Sequence, residues 1–212
     1  MKHQIMTYSS LILAGGKGSR MSYQEKALID INGRPLITYV IDSLLKAVDN
    51  IIISVRDDAQ GELLAPHVQK YEFAYDSYEN TGPLSGILSG LLACEDEYCF
   101  IVACDMPFIN EKVVKLLFKE TEDHEAALPR WSDGFVEPLH AVYQCKPMIR
   151  ETKRAIESGE NIILAPISRL KVNYVNVENI KELDPQLKTF INVNTPEDIE
   201  KIKRNLSIKY VH

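Results

Sequence analysis

Between the apolar run that ends at Ala14 and the next regular stretch of the chain stands Gly15-Gly16-Lys17-Gly18-Ser19-Arg20, with Lys26 six residues beyond Arg20. Glycines without side chains let backbone N–H groups approach a polyphosphate closely, and Lys17, Arg20 and Lys26 supply positive charge beside it. The loop matches neither common phosphate pattern. Gly18 stands where a P-loop has Ser or Thr after its lysine, and Met21 stands where the dinucleotide fingerprint has its third glycine. A glycine-rich turn after a strand also fits a plain tight turn. The basic residues that follow it favour a phosphate site.

Asp105 is the second group with chemistry in it. It ends the apolar run YCFIVAC and precedes Met106-Pro107. It reads either as a Mg²⁺ ligand, since magnesium sites on nucleotides combine one or two carboxylates with substrate phosphates, or as a cap of the turn that follows. Asn or Ser would serve a cap equally well, which favours the metal. Neither position 103 nor 107 carries a second Asp, so the D-x-D pattern of many nucleotide-sugar glycosyltransferases is missing. His140, in an apolar run, reads as an interior or cleft histidine ahead of a catalytic base. Asn192 and Asn194 alternate before a helix start, as generic polar residues or as cleft residues. Trp131, in a polar insert, reads as a lone loop aromatic or as a surface on which a flat ring stacks.

Positioning these groups requires strand ends. Residues 8–14 and 50–55 read as buried strands and 36–47, opened by Pro35, as an amphipathic helix between them, which makes a parallel βαβ unit. A weaker strand at 73–75 leads to Asp76. Gly82-Pro83 begins a helix to about Cys94, and 98–103 is the next buried strand. Asn110 caps a helix whose inner face carries Val113, Val114, Leu116 and Leu117. Strands follow at 126–128 and 140–144 around the insert 130–137, then a helix at 146–158 and strands at 172–177 and 190–193. Thr195-Pro196-Glu197-Asp198 opens the terminal helix. The pattern predicts one α/β domain over residues 1–212, a three-layer αβα sandwich with a mostly parallel sheet. In such a sheet ligands bind beyond the carboxyl ends of the strands, where the glycine loop and Asp105 both fall.

Composition narrows the partners. With 45% hydrophobic and 25% charged residues the chain is of ordinary globular make-up, and no apolar run of about 18 residues is present to span a bilayer. Residues 1–10 carry Lys2 but no apolar signal core, which predicts a cytoplasmic location. A net charge of −6 argues against general nucleic-acid binding. Cys94, Cys99, Cys104 and Cys145 have neither paired nor zinc-finger spacing and read as reduced, buried thiols.

The segments LILAGGKGSRM, the following Lys26, GPLSGILSGL, VACDMPFI, EPLHAVY and FINVNTPEDI, in this order, resemble the signature segments of the molybdenum cofactor guanylyltransferase family. The first marks only the wider nucleotidyltransferases, with their Rossmann-like fold. Asp-x-Pro followed by Asn-x-Asn-Thr-Pro-Glu-Asp narrows it. The resemblance implies that Leu13, Ala14 and Gly15 line a guanine nucleotide, that Lys26 contacts its phosphates, that Asp76 helps hold it and that Asp105 binds magnesium. It places Arg20, Gly82, Asn192 and Asn194 in the same cleft, with Gly16 and Gly18 in the phosphate loop. Ser54 stands where such proteins often have Asn near the nucleoside, and Ser22-Tyr23 replaces a common glycine pair. Expected substrates are GTP and molybdopterin, with Mg²⁺ as cofactor. Molybdenum-insertion and molybdoenzyme-maturation proteins are the implied partners. The same scaffold accommodates CTP on molybdopterin, or an NTP on a sugar or cobinamide phosphate. A nucleotide-binding regulator without turnover is the alternative of another class, against which Arg20, Lys26 and Asp105 together argue.

Overall fold

The computed structural model describes residues 7–18, 24–68, 70–79 and 81–209. Its first strand, β1 (Ser9–Leu13), is buried along nearly its whole length because it has parallel neighbours on both sides and helices over both faces. Two small hairpins follow, β2 (Lys17–Gly18) with β3 (Gln24–Glu25) and β4 (Asp30–Ile31) with β5 (Arg34–Pro35). Then come α1 (Leu36–Leu44), β6 (Asn50–Val55), α2 (Asp58–Val68), β7 (Glu72–Tyr75), α3 (Leu84–Ala93) and β8 (Tyr98–Ala103). The remainder is α4 (Glu111–Lys119), β9 (Ala126–Arg130), β10 (His140–Gln144), α5 (Cys145–Glu157), α6 (Leu164–Ile167), β11 (Val172–Asn176), α7 (Val177–Lys181) and α8 (Pro196–Lys209).

Seven strands form the main sheet in the order β11-β9-β10-β8-β1-β6-β7. Every pairing is parallel except those of β10, which runs against both β8 and β9. The sheet is therefore mostly parallel, and the strand-to-strand alternation of side chains divides the core in two. Ile12, Ile53 and Val102 face one way, with Val40 of α1, Leu64 of α2 and Val113 and Leu117 of α4. Leu11, Ile52 and Ile101 face the other, with Ile87 and Leu91 of α3 and Met148 of α5. Helices on both faces of one sheet make the expected three layers. Among the described residues no helix is long and apolar enough to cross a membrane.

Several local outcomes differ from the sequence expectation, which contained neither the hairpins β2–β3 and β4–β5 nor the short helices α6 and α7. Residues 190–193 are not a strand: a 3₁₀ turn, Lys188–Phe190, runs into irregular chain, and Val193 gives its N–H to the carbonyl of Asp105 at 2.9 Å. Phe190 and Val193 are buried while Ile191 and Asn192 stay exposed, a spacing of three where a strand would alternate with a spacing of two. Conversely α2 carries too few periodic apolar residues to be read from the sequence. It contains Gly61 and Pro66, and one of its buried positions is the polar Gln60.

Candidate active site

The strand register brings the chemistry together. Leu13, at the end of β1, is level with Ser54 of β6 on one side and Ala103 of β8 on the other. Ala14 continues the ladder by donating to the Ser54 carbonyl at 2.9 Å, and Cys104 donates to the Leu13 carbonyl at 3.2 Å. Gly15 and Gly16, Asp76 after β7, and Asp105 after β8 therefore emerge at one edge of the sheet, the edge where open parallel sheets bind ligands.

A cavity of about 350 Å³ lies there. Its walls include Leu13, Gly15, Gly16, Lys26, Ser54, Asp76, Gly82 and Asp105. A second cavity of about 230 Å³ adjoins it, lined by Asp105, Met106, Glu137, Pro138, Asn192 and Asn194; Ala103, Asp105 and Leu139 belong to both. Larger hollows of about 730 and 920 Å³ exist, one beside α1 and the loop entering α4, the other at the amino ends of the strands around Cys94. Neither is lined by the glycine loop or by Asp105.

Lys26 stands at the join of the two cavities. Its Nζ donates to Asp105 Oδ2 at 2.8 Å and to Asn194 Oδ1 at 2.8 Å. Among the described residues Oδ1 of Asp105 has no hydrogen-bond partner, so one oxygen of this carboxylate remains available at the cavity wall. Asn194 is fixed from behind, because Asp198 Oδ2 accepts the N–H groups of both Asn194 and Thr195 while Thr195 Oγ1 accepts that of Asp198. This reciprocal cap starts α8, as its sequence predicts. The two backbone donors, that of Asn194 foremost, hold the Asp198 carboxyl below its ordinary range.

On the far side of the larger cavity, Ser54 Oγ donates to Asp76 Oδ1 at 3.3 Å. Burial raises the Asp76 carboxyl above its ordinary range against the opposing pull of that hydroxyl. Gly86, in the first turn of α3, passes so close that a Cβ there would collide with Ser54 Oγ. Gly82 has φ +58°, and a Cβ on it would lie 2.6 Å from the Asn161 carbonyl. Both glycines are thus fixed by sterics, and the helix they open stays against the cavity.

Some placements qualify the sequence reading. Ala14 is fully buried behind the cavity wall, its carbonyl taken by Gln60 Nε2 at 2.8 Å. Gly18 sits in the β2–β3 hairpin outside the cavity lining. Arg20, with Ser22-Tyr23, lies outside the described residues. His140 is completely buried between Phe100 and Phe190, with Nε2 3.1 Å from Thr189 Oγ1. Burial lowers its pKa to about 3, so it stays neutral and cannot reach a ligand. Trp131 packs on Phe190 and donates Nε1–H to Glu137 Oε1 at 2.8 Å. Cys99, Cys104 and Cys145 are buried free thiols and Cys94 is half-buried.

Sequence reasoning missed a polar clamp under the glycine loop. Gln60 joins the Ala14 carbonyl to Glu25 Oε2 and accepts the Arg56 N–H at 2.7 Å. Arg56 pairs with Glu25 Oε1 at 2.7 Å and reaches the Gly15 carbonyl at 3.4 Å. The bond to Glu25 foremost raises the Arg56 guanidinium pKa, so it stays charged. Glu25 precedes Lys26, so this clamp sets the lysine's approach to Asp105. The signal was Arg56 directly after a buried strand with Gln60 four residues later, one helical turn on.

A parallel-sheet crevice with a glycine loop, a lysine–carboxylate pair and two adjoining cavities defines a nucleotide-binding α/β protein of the nucleotidyltransferase class. Residues 10–171 match the MobA-like NTP transferase domain. A probable molybdenum cofactor guanylyltransferase of Methanosarcina mazei is 44% identical over 91% of this chain and 88% of its own length, and one of Methanosarcina acetivorans is 45% identical over 91% and 88%. The crystal structure of molybdopterin-guanine dinucleotide biosynthesis protein A from Archaeoglobus fulgidus superposes with a TM-score of 0.82 at 32% identity, covering 94% of this chain and 99% of that one. The chain belongs to the MobA-like NTP transferase family, in the group that contains the molybdenum cofactor guanylyltransferases.

Proposed function

We propose that the protein transfers GMP from GTP to the terminal phosphate of molybdopterin, releasing pyrophosphate and forming the guanine dinucleotide form of the molybdenum cofactor. The observation that carries this reading is the meeting of two cavities at one carboxylate and one lysine. The larger fits a nucleotide between the glycine loop, Ser54 and Asp76, and the smaller, beside Asn192 and Asn194, opens toward the same Asp105. The relatives named above are the second support.

An oxygen of the acceptor phosphate attacks the α-phosphorus of GTP, and the bond from that phosphorus to the bridging oxygen of the β-phosphate breaks. The acceptor is already ionised, so no side-chain nucleophile is needed. The protein's part is to align the reactants and to meet the charge that grows on pyrophosphate. Lys26, freed from Asp105 by turning its ammonium to the phosphates, meets that charge; Gly15 and Gly16, which line the same cavity, offer backbone N–H groups to the phosphates in this reading. Arg20 is proposed as a second cation there. Leu13 and the Gly86 face of α3 bound the nucleoside, and Asp76 with Ser54 holds its polar groups.

Magnesium fits this set. Among the described residues no cluster of three or more His, Cys, Asp or Glu forms a protein-only cage, but Asp105 offers a free oxygen between the two cavities, and one carboxylate with substrate phosphates is an ordinary Mg²⁺ set. When bound, the ion would neutralise phosphate charge.

Pyrophosphate release from each of the four NTPs, with and without molybdopterin, tests the reading. Release is expected with GTP and molybdopterin together. An equal or greater rate with CTP overturns the guanylyl assignment, and release that ignores molybdopterin overturns the acceptor.

A further inference from the structure

The smaller cavity contains one group that phosphate chemistry does not use. Glu137 lines it together with Asp105, Pro138, Leu139 and Met106. Its Oε1 accepts the indole N–H of Trp131 at 2.8 Å, which fixes the carboxyl plane, and Trp131 is itself held against Phe190. The main chain around it is pinned as well: Glu137 donates its N–H to the Pro129 carbonyl at 3.0 Å, and its own carbonyl accepts the N–H of His140 at 3.2 Å. Among the described residues Oε2 has no hydrogen-bond partner. A half-buried carboxylate held this firmly, with one oxygen unused, is built to accept hydrogen bonds.

Charge decides what it accepts. A phosphate set against a carboxylate would be repelled, so the phosphate end of an acceptor belongs at the Lys26 side of the cavity and an uncharged, donor-rich end belongs at Glu137. We propose that Glu137 is a specificity-determining residue that accepts hydrogen bonds from adjacent N–H donors on the pyrimidinone edge of a pterin acceptor, with Pro138, Leu139 and Met106 against the flat ring. A 2-amino-4-oxo pyrimidine presents a ring N–H and an amino N–H side by side, and a carboxylate oxygen accepts from that edge with good geometry. Burial raises the Glu137 carboxyl above its ordinary range, against the Trp131 bond, which is the cost that a charge-assisted contact with the ligand would offset. The inference rests on molybdopterin being the acceptor.

Glu137→Gln is the informative variant, because its amide oxygen still accepts from Trp131 while the NH₂ now faces the donors of the pterin. The expected result is a molybdopterin KM raised about 10- to 100-fold, with kcat and the GTP KM within about threefold of the parent. Trp131 is the only tryptophan, so its emission reports whether the indole bond survives in the variant. A second arm titrates the full chain with 6-hydroxymethylpterin, followed by quenching of that emission; the parent binds and Glu137→Gln binds at least tenfold more weakly. An unchanged molybdopterin KM in Glu137→Gln overturns the proposal, and so does equal pterin binding by parent and variant. If the parent fails to transfer GMP to molybdopterin, the functional reading falls by itself, and the pterin titration still decides the role of Glu137.

Discussion

Lys26 and Asn194 are 168 residues apart in sequence, yet Lys26 Nζ lies 2.8 Å from Asn194 Oδ1 while holding Asp105 at the same distance. One ammonium thus ties the short 3₁₀ turn Lys26–Leu28, the end of β8 and the start of α8 into a single site. With side chains 20% and 13% exposed, the Lys26–Asp105 pair stabilises the fold by only on the order of 1 kcal/mol. Its consequence lies in where it holds two reactive groups.

Asp105→Asn should therefore be an activity variant with a nearly normal fold. The backbone carbonyl that accepts from Val193 is retained, and the side chain sits at a cavity wall. A fall in kcat/KM of about 10³-fold is expected, with the thermal midpoint within a few degrees of the parent. Steady-state pyrophosphate release over a magnesium series, paired with a melting curve, checks it. Near-normal turnover at saturating magnesium would show that Asp105 does not hold the metal.

Lys26→Ala should raise the barrier by about 2 to 4 kcal/mol, and Asn194→Ala by about 1 kcal/mol. The two should not add, because Asn194 acts partly by aiming Lys26. Kinetics of both single variants and the double variant measure the coupling. Simple additivity would mean that Asn194 meets the substrate independently of the lysine.

The layers, the parallel sheet and two of the loop ends were legible because the central strands are short apolar runs, β1 and β8 being followed within two residues by Gly15 and Asp105. The start of α8 was legible from its cap chemistry alone. The Gln60–Glu25–Arg56 clamp was not, since a buried glutamine leaves no hydrophobic period and its partners come from three separate segments. Nor was the role of Glu137, whose neighbour Trp131 looked like a loop aromatic until its packing on Phe190 placed it. Local pattern reports which face an element buries. It does not report which distant polar groups that face will meet.

Gly86→Ala probes the nucleoside wall. The added methyl would collide with Ser54 Oγ, and the hydroxyl is already committed to Asp76. Overpacking of this kind costs about 1 to 3 kcal/mol and displaces α3 from the cavity, so GTP binding should weaken about tenfold or more. Adding Ser54→Ala removes the colliding oxygen and should recover most of the stability. Chemical unfolding and GTP titration of the two variants test this, and a Gly86→Ala protein as stable as the parent would mean that α3 does not pack as described.

His140 gives the acid limb of stability. Its pKa in the native protein is about 3, because burial disfavours the imidazolium, against 6.5 for the ordinary side chain. The unfolded chain therefore binds a proton more readily than the native one. Stability owed to the neutral ring is complete above about pH 6.5 and is lost as pH falls from there toward 3, on the order of 5 kcal/mol in all. Among the described residues the ring has one hydrogen-bond anchor, Thr189 Oγ1, which also accepts the N–H of Asn110, while Nδ1 is buried without a partner. His140→Gln keeps a hydrogen-bonding group but cannot titrate. It should be less stable than the parent by about 1 to 3 kcal/mol at pH 8, with the gap narrowing or reversing by about pH 4. Urea unfolding of both proteins across that range measures the gap, and two parallel stability curves would assign the acid limb to other groups.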